Sequence, residues 1–266
     1  MLLSDAVRKY DAASRHYDRF MDIVFGKVLN VERHRERVVE LLGNVEGKTV
    51  IDVGCGTGRN FSLLVGAVGP HGRVIGVDCS DGMLTQARRR VQRHGWHNVE
   101  LVRGDAVELD GIPEPADAVL SVWCYGTVYD LSAALRRAAD VLHPGGRLAI
   151  MTFVRASPDR GPLRRLYPVY RFAVRCAGLD PARDFDNAAL ETRWAHGRDV
   201  LRALLWDIHE EKYLQGAGLI ISGRKPLQAT ATAAPARTLS DERAADGVVE
   251  RVIASARKRA GRPGAA

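Results

Sequence analysis

The stretch Val50-Ile51-Asp52-Val53-Gly54-Cys55-Gly56-Thr57-Gly58-Arg59 decides how the rest of this 266-residue chain is read. An apolar run broken only by Asp52 gives way to three glycines at alternate positions. A short apolar run bounded by turn signals reads as a buried strand. Glycines, lacking a Cβ, let the backbone turn sharply and approach a ligand closely. A helix starting near Gly58 would aim its unpaired N–H groups at the same spot. Strand, glycine turn and helix together describe a loop that cradles a nucleotide cofactor.

The spacing says which cofactor. A dinucleotide fingerprint reads G-x-G-x-x-G/A, with its third small residue letting helix and strand pack closely. Counted from Gly54, that third position is Arg59, and the pattern here is G-x-G-x-G. Asp52 stands just before the turn, where its carboxylate is expected to point into the crevice and repel a pyrophosphate. A ligand with an ammonium group and a positive sulfur suits it better. The chemistry favours S-adenosylmethionine over NAD.

Further motifs follow in order: Arg73-Val74-Ile75-Gly76-Val77-Asp78, Ser80-Asp81-Gly82-Met83-Leu84, Val99 to Ala106 with Gly104-Asp105, Ala116 to Val122, and Leu142-His143-Pro144-Gly145-Gly146-Arg147-Leu148-Ala149-Ile150. With the glycine loop, these resemble the class I S-adenosylmethionine-dependent methyltransferases over roughly residues 1–226. The resemblance implies a doubly wound, seven-stranded, mostly parallel α/β sheet with an antiparallel last strand. It implies that Asp78 binds the ribose hydroxyls by charge-assisted bonds, that Met83 lies against the adenine, and that Asp105 and the backbone of Ala106 meet the adenine edge. The cofactor set it implies is Asp52, Gly54, Cys55, Gly56, Gly58, Asp78, Cys79, Met83, Asp105, Ala106 and Ser121. Ser80 is a plausible N-cap for the helix after the second strand.

Composition bounds the rest. Hydrophobic content of 46% is ordinary for a globular chain, and the formal net charge of +7 attracts anionic partners without specifying a fold. No segment approaches the roughly 20 apolar residues of a membrane span, and the start, Met1-Leu2-Leu3-Ser4-Asp5, is too quickly polar for a signal peptide. Four cysteines without paired spacing indicate neither a disulfide framework nor a zinc site, so a reducing cytoplasm is the expected location. His94 and His97 read as surface residues, and no metal is expected. Cys55, Cys79 and Cys124 each follow a strand end, the edge that lines the ligand crevice in such sheets.

Along the chain, strands and helices alternate at 48–53, 58–68, 73–77, 81–94, 99–103, 117–122, 131–142 and 146–154, which implies a parallel sheet covered on both faces. Two more strands are expected at 209–215 and 218–224. Residues 4–42 read as helical. Tyr10 and Tyr17 are seven apart and share one face, and the segment 1–45 resembles the lid of quinone-ring and phospholipid N-methylating members. Residues 155–207 form an insertion expected to cap the site. In it, Leu163, Leu166, Tyr167, Tyr170 and Val174 recur at helical spacing, with Arg164, Arg171 and Arg175 beside them. A second helix is expected from Asn187 to Ile208. Residues 227–266 read as a basic, disordered tail, with a short helix over 240–260 left open.

Methyl transfer from a sulfonium needs alignment more than acid catalysis, so the sequence singles out no catalytic residue. Tyr125, Tyr129 and His196 are the candidates. Tyr10, Tyr17, Trp123, Tyr125 and Phe153 are the expected substrate wall. An Asn-Pro-Pro-Tyr loop is absent, and Trp123-Cys124-Tyr125-Gly126 stands in its place, which argues against nucleic-acid base methylation. The acceptor is expected to be a small lipophilic molecule, a phospholipid amine or a quinone precursor. That allows peripheral contact with an anionic membrane. A soluble secondary metabolite and a non-catalytic cofactor-binding scaffold stay open. The acceptor atom and the oligomeric state are not legible.

Overall fold

The computed structural model describes residues 3–22, 30–112, 115–155 and 187–227, with the single positions 157, 165 and 168. Elements follow in the order α1 (Leu3–Met21), α2 (Glu32–Glu40), β1 (Thr49–Val53), α3 (Phe61–Val68), β2 (Arg73–Asp78), α4 (Asp81–His94), β3 (Val99–Arg103) and β4 (Ala116–Val122). Then come α5 (Leu131–Asp140), β5 (Leu142–Phe153), α6 (Asn187–Leu204), β6 (Trp206–Tyr213), a 3-10 turn at Leu214–Gly216 and β7 (Gly218–Arg224).

One seven-stranded sheet runs β3-β2-β1-β4-β5-β7-β6. The pairs from β3 to β5 are parallel, and β7 is antiparallel to both β5 and β6. The expected fold class is the observed one. The inner strands β1, β2, β4 and β7 read as near-continuous apolar runs because both faces are covered, whereas the edge strands β3 and β6 carry charges and are only partly buried. Ile51, Val119, Leu148 and Ile221 pack against α5 and α6 on one face. Val50, Leu120, Ala149 and Ile220 pack against α2, α3 and α4 on the other. Strand order reverses between β1 and β4, which opens a crevice at their C-terminal ends.

Helix starts follow side-chain chemistry. Ser80 Oγ accepts the Met83 N–H at 3.0 Å and Asp130 Oδ1 accepts the Ala133 N–H at 2.9 Å, capping α4 and α5. Several expected boundaries move. The helix expected over 4–42 is two helices, and Asn30 at φ 45° precedes the second. The helix expected from Gly58 starts at Phe61, since Gly58 has φ 77°. The helix expected to reach 142 stops at Asp140, and β5 begins at Leu142. Pro144-Gly145-Gly146 is an irregularity within that strand, held by Gly145 N–H to Lys225 O (2.9 Å) and Lys225 N–H to Gly146 O (2.8 Å).

The helix expected to continue to Ile208 ends at Leu204, and Trp206 and Ile208 belong to β6. Apolar positions there fit either period, and Asp207 at φ 54° sits at the bulge of β6 between Trp206 and His209. The expected cap also changes character. Trp194 and Leu201 of α6 are buried against α5, so this half of the insertion is a layer of the core. The stripe from Leu163 to Val174, with its arginines, lies outside the described residues, as does everything beyond Leu227.

Candidate functional site

The crevice lies where the strand order predicts it. Gly54 and Gly56 form its floor, Asp78, Cys79 and Met83 one side, Trp123, Cys124 and Thr127 the other, and Tyr10 and Tyr17 of α1 a further wall. Gly56 adopts φ 55°, and a Cβ there would meet no atom within 4 Å, so its open side faces space a ligand can use.

Asp78 ends β2 with both oxygens engaged: Oδ2 accepts the Gly56 N–H at 2.8 Å and Oδ1 the Ser80 N–H at 2.9 Å. Burial pushes its carboxyl up, and these two amides pull it back down. Each oxygen keeps a lone pair for a ligand hydroxyl. After β3, Asp105 Oδ1 accepts the Val107 N–H at 3.0 Å and Oδ2 the Tyr129 hydroxyl at 2.9 Å. Met83 is buried at the crevice, and Ala106 also lines it.

Helix α1 is tied across this region by two carboxylates. Asp11 Oδ1 accepts from Ser80 Oγ at 2.5 Å and from Gly82 N–H at 2.9 Å. Asp18 accepts from Thr57 Oγ1 at 2.6 Å and from Arg90 Nη2 at 2.5 Å, and Arg59 pairs with Asp22 at 2.7 Å. The phenols of Tyr10 and Tyr17 stay protonated, because burial pushes both above the usual tyrosine range.

Other expected residues stand elsewhere. Asp52 is wholly buried and does not line the crevice. Both its oxygens accept from Asn60 Nδ2 at 3.1 Å, and burial lifts its carboxyl to about 7 against the pull of Asn60 and Arg35. Its expected direct contact with a ligand ammonium is therefore not formed by this arrangement. Cys55 is buried beside the loop, and Gly58 lies in the same turn. Ser121 is sealed, its Oγ donating to Val53 O at 3.1 Å. Tyr125 is a core residue packed among the α5 side chains, not a pocket residue. Phe153 sits behind the wall, stacked on Trp123 at 5.4 Å between ring centroids. His196 is exposed on α6 and does not line the crevice. Tyr129, bonded to Asp105, stands at that end of the crevice.

Trp123 carries φ 61°, rare for a bulky residue and typical of strain held at sites. Its Nε1–H donates to Tyr213 Oη at 2.8 Å, and that hydroxyl donates to Thr152 O at 3.0 Å, which fixes the indole plane. Over the indole lies Arg35, its guanidinium carbon 5.9 Å from the ring centroid. Arg35 is only 6% exposed, and its Nη1 is buried without a hydrogen-bonding partner. Burial, then repulsion from Arg59, pulls its basicity down. In the sequence Glu32-Arg33-His34-Arg35-Glu36-Arg37 it reads as one charge of a solvated helix, so nothing marked it. The tethers Asp11 and Asp18 were also missed, although Tyr-Asp recurs at 10–11 and 17–18.

A family model described as a methyltransferase domain matches residues 50–146, the segment from the glycine loop to β5. The chain carries a methyltransferase domain. The methyltransferase is 29% identical over 230 residues to the demethylmenaquinone methyltransferase of Geobacillus stearothermophilus, covering 82% of this chain and 95% of that one. It is 35% identical over 140 residues to the demethylmenaquinone methyltransferase of Listeria welshimeri, covering 53% and 58%. A SAM-dependent methyltransferase from Aquifex aeolicus shares the fold, with a TM-score of 0.50 at 21% identity over 72% of this chain and 89% of that one. The methyltransferase's cofactor is S-adenosylmethionine, and the orphaned Nη1 of Arg35 and the open side of Gly56 fit a polar ligand there. Among the described residues, no helix is long and apolar enough to cross a membrane.

Proposed function

We propose that this methyltransferase transfers the methyl group to a lipophilic ring-bearing acceptor of the quinone-precursor type. The observation that carries the reading is the aromatic wall: Trp123, backed by Phe153, with Tyr10 and Tyr17 beside it. Flat apolar walls bind flat apolar rings through area and offset stacking. The activity of the Geobacillus relative supports the same acceptor class.

In this reading Asp78 receives the ribose hydroxyls, Met83 supports the adenine, and Asp105 with Ala106 meets its edge. The bound cofactor supplies an electrophilic methyl on a sulfonium. Held there, it would give that methyl to the acceptor's nucleophilic atom and keep the electron pair of the broken bond on sulfur, while the acceptor's proton would pass to solvent. The chain's part is alignment and exclusion of water, which can lower a barrier by about 7–11 kcal/mol. No histidine is among the described crevice-lining residues, and burial keeps the Cys124 thiol protonated, so positioning carries the rate. An acceptor of this kind resides in a bilayer, so peripheral membrane contact belongs to the proposal.

The test is turnover with isotopically labelled cofactor against demethylated naphthoquinol in vesicles, phosphatidylethanolamine vesicles and water-soluble phenols, read by product mass. Label in the naphthoquinol product is expected. Label confined to the amine or to soluble phenols would remove the proposal. Co-sedimentation with anionic vesicles tests the membrane contact.

A further inference from the structure

We propose that Arg35 is the docking group for the carboxylate of the cofactor's methionine moiety. The proposal rests on the cofactor placement given above, with the adenosine toward Asp78 and Asp105. Its starting point is a buried cation with an open valence. The Arg35 guanidinium is 6% exposed, and its Nη1 is sealed from solvent without a partner. Burying a charge costs several kcal/mol unless it is paired and hydrogen-bonded. Among the described residues no carboxylate lies within ion-pair distance of Arg35. Glu32 and the buried Asp52 act on it only through their fields, and Asp52 spends both oxygens on Asn60.

The fold says which anion belongs there. Asp105 follows β3, Asp78 ends β2, the glycine loop follows β1, and Trp123 follows β4, in the spatial order β3-β2-β1-β4. Neighbouring strands are about 4.8 Å apart, so Trp123 stands roughly 14 Å along the crevice from Asp105. Arg35 lies over Trp123, and its field also reaches Tyr17, which lines the crevice with Trp123. An adenosine held at Asp105 and Asp78 extends its amino-acid arm toward this end. That arm carries the cofactor's one carboxylate. A charge-assisted N–H···O bond from Nη1 would satisfy both groups at once. Sequence alone concealed this, because α2 carries arginines on several faces and only packing shows which one is enclosed.

The test is calorimetric binding of S-adenosylhomocysteine, which has the carboxylate, and of 5′-methylthioadenosine, which lacks the whole amino-acid arm. Arg35→Met is expected to weaken the first by roughly 10- to 100-fold, the scale of a hydrogen bond to a charged group, and to leave the second unchanged. Arg35→Lys should recover part of the loss. Equal weakening of both ligands would make Arg35 a structural residue and overturn the proposal. Unchanged S-adenosylhomocysteine binding with a raised acceptor KM would assign Arg35 to the acceptor instead, and overturn it too. A measurement on the unaltered protein guards against a variant that does not fold: decarboxylated S-adenosylmethionine should bind at least about 10-fold more weakly than S-adenosylmethionine, and equal affinity refutes carboxylate docking. Asp78→Ala, by contrast, should weaken both adenosine ligands alike. Its failure to do so would remove the cofactor placement, whatever Arg35 does.

Discussion

The carboxylate of Asp11 accepts the backbone N–H of Gly82 at 2.9 Å, so a residue of α1 caps the first turn of α4. Early N–H groups of a helix lack intrahelical partners and favour a negative charge. The approach is close: a Cβ on Gly82 would stand 2.8 Å from Ser14 Oγ. Seven residues on, Asp18 makes the second tether, to Thr57 and Arg90. Asp18→Ala should therefore loosen α1 from both the glycine loop and α4. We expect faster tryptic cleavage after Arg15 and Arg19, and cofactor affinity reduced about tenfold, the scale of one charge-assisted bond. Unaltered cleavage and affinity would remove the tethering role.

Asp78→Ala deletes the acceptor of the Gly56 and Ser80 amides together with the group assigned to the ribose. Cofactor binding should weaken by about 1.5–3 kcal/mol. Helix content by circular dichroism should stay near that of the parent protein. Titration showing unchanged affinity would overturn the ribose assignment.

Asp52 couples stability to pH. Its carboxyl is lifted to about 7 by burial, from 3.8. The folded state then holds a proton that the unfolded chain releases, so stability falls as pH rises from about 4 to about 7. A shift of this size corresponds to about 4 kcal/mol across the window. Asp52→Asn removes the ionisation and keeps the shape. Urea unfolding at pH 5 and pH 8 should show a smaller stability loss for the variant than for the parent. An equal loss would place the pH dependence elsewhere.

Cys79 lines the crevice, and burial followed by the Asp78 charge pushes its thiol up to about 12. Thiolate is the reactive form, so alkylation should be slow near neutrality and climb steadily with pH up to that value. S-adenosylhomocysteine should protect Cys79 by filling the crevice. Peptide mass mapping at equal times with and without the ligand decides it. Identical labelling would put Cys79 outside the cofactor's footprint.

Much of the candidate donor site is legible in the sequence because its determinants are local. Asp78 ends a strand buried on both faces, which stands out as an apolar run, and Asp105 follows the half-buried edge strand Val99–Arg103 by two residues. Gly54 and Gly56 announce the turn by type and spacing. The acceptor side is less legible, since it depends on where the backbone sends adjacent side chains. Trp123 and Tyr125 look alike in sequence, yet the left-handed turn at Trp123 leaves one on the crevice and the other in the core. Asp52 looked like a ligand group because its neighbours are, while its contacts with Asn60 enclose it. Arg35 belongs to a helix whose charges are otherwise mostly at the surface, and its burial is a tertiary fact.

The Asp11 and Asp18 tethers of α1 reach the glycine loop and α4, elements that border the crevice. Lifting α1 to let the spent donor leave would break several partly exposed ionic contacts together. Dissolved ions screen such contacts, and release of product commonly limits turnover in enzymes with a covering segment. The rate at saturating substrates should then rise with moderate ionic strength, as the helix opens more often, and fall only when donor capture itself weakens. A helix written with two Tyr-Asp pairs would in this way act as the clock of the catalytic cycle.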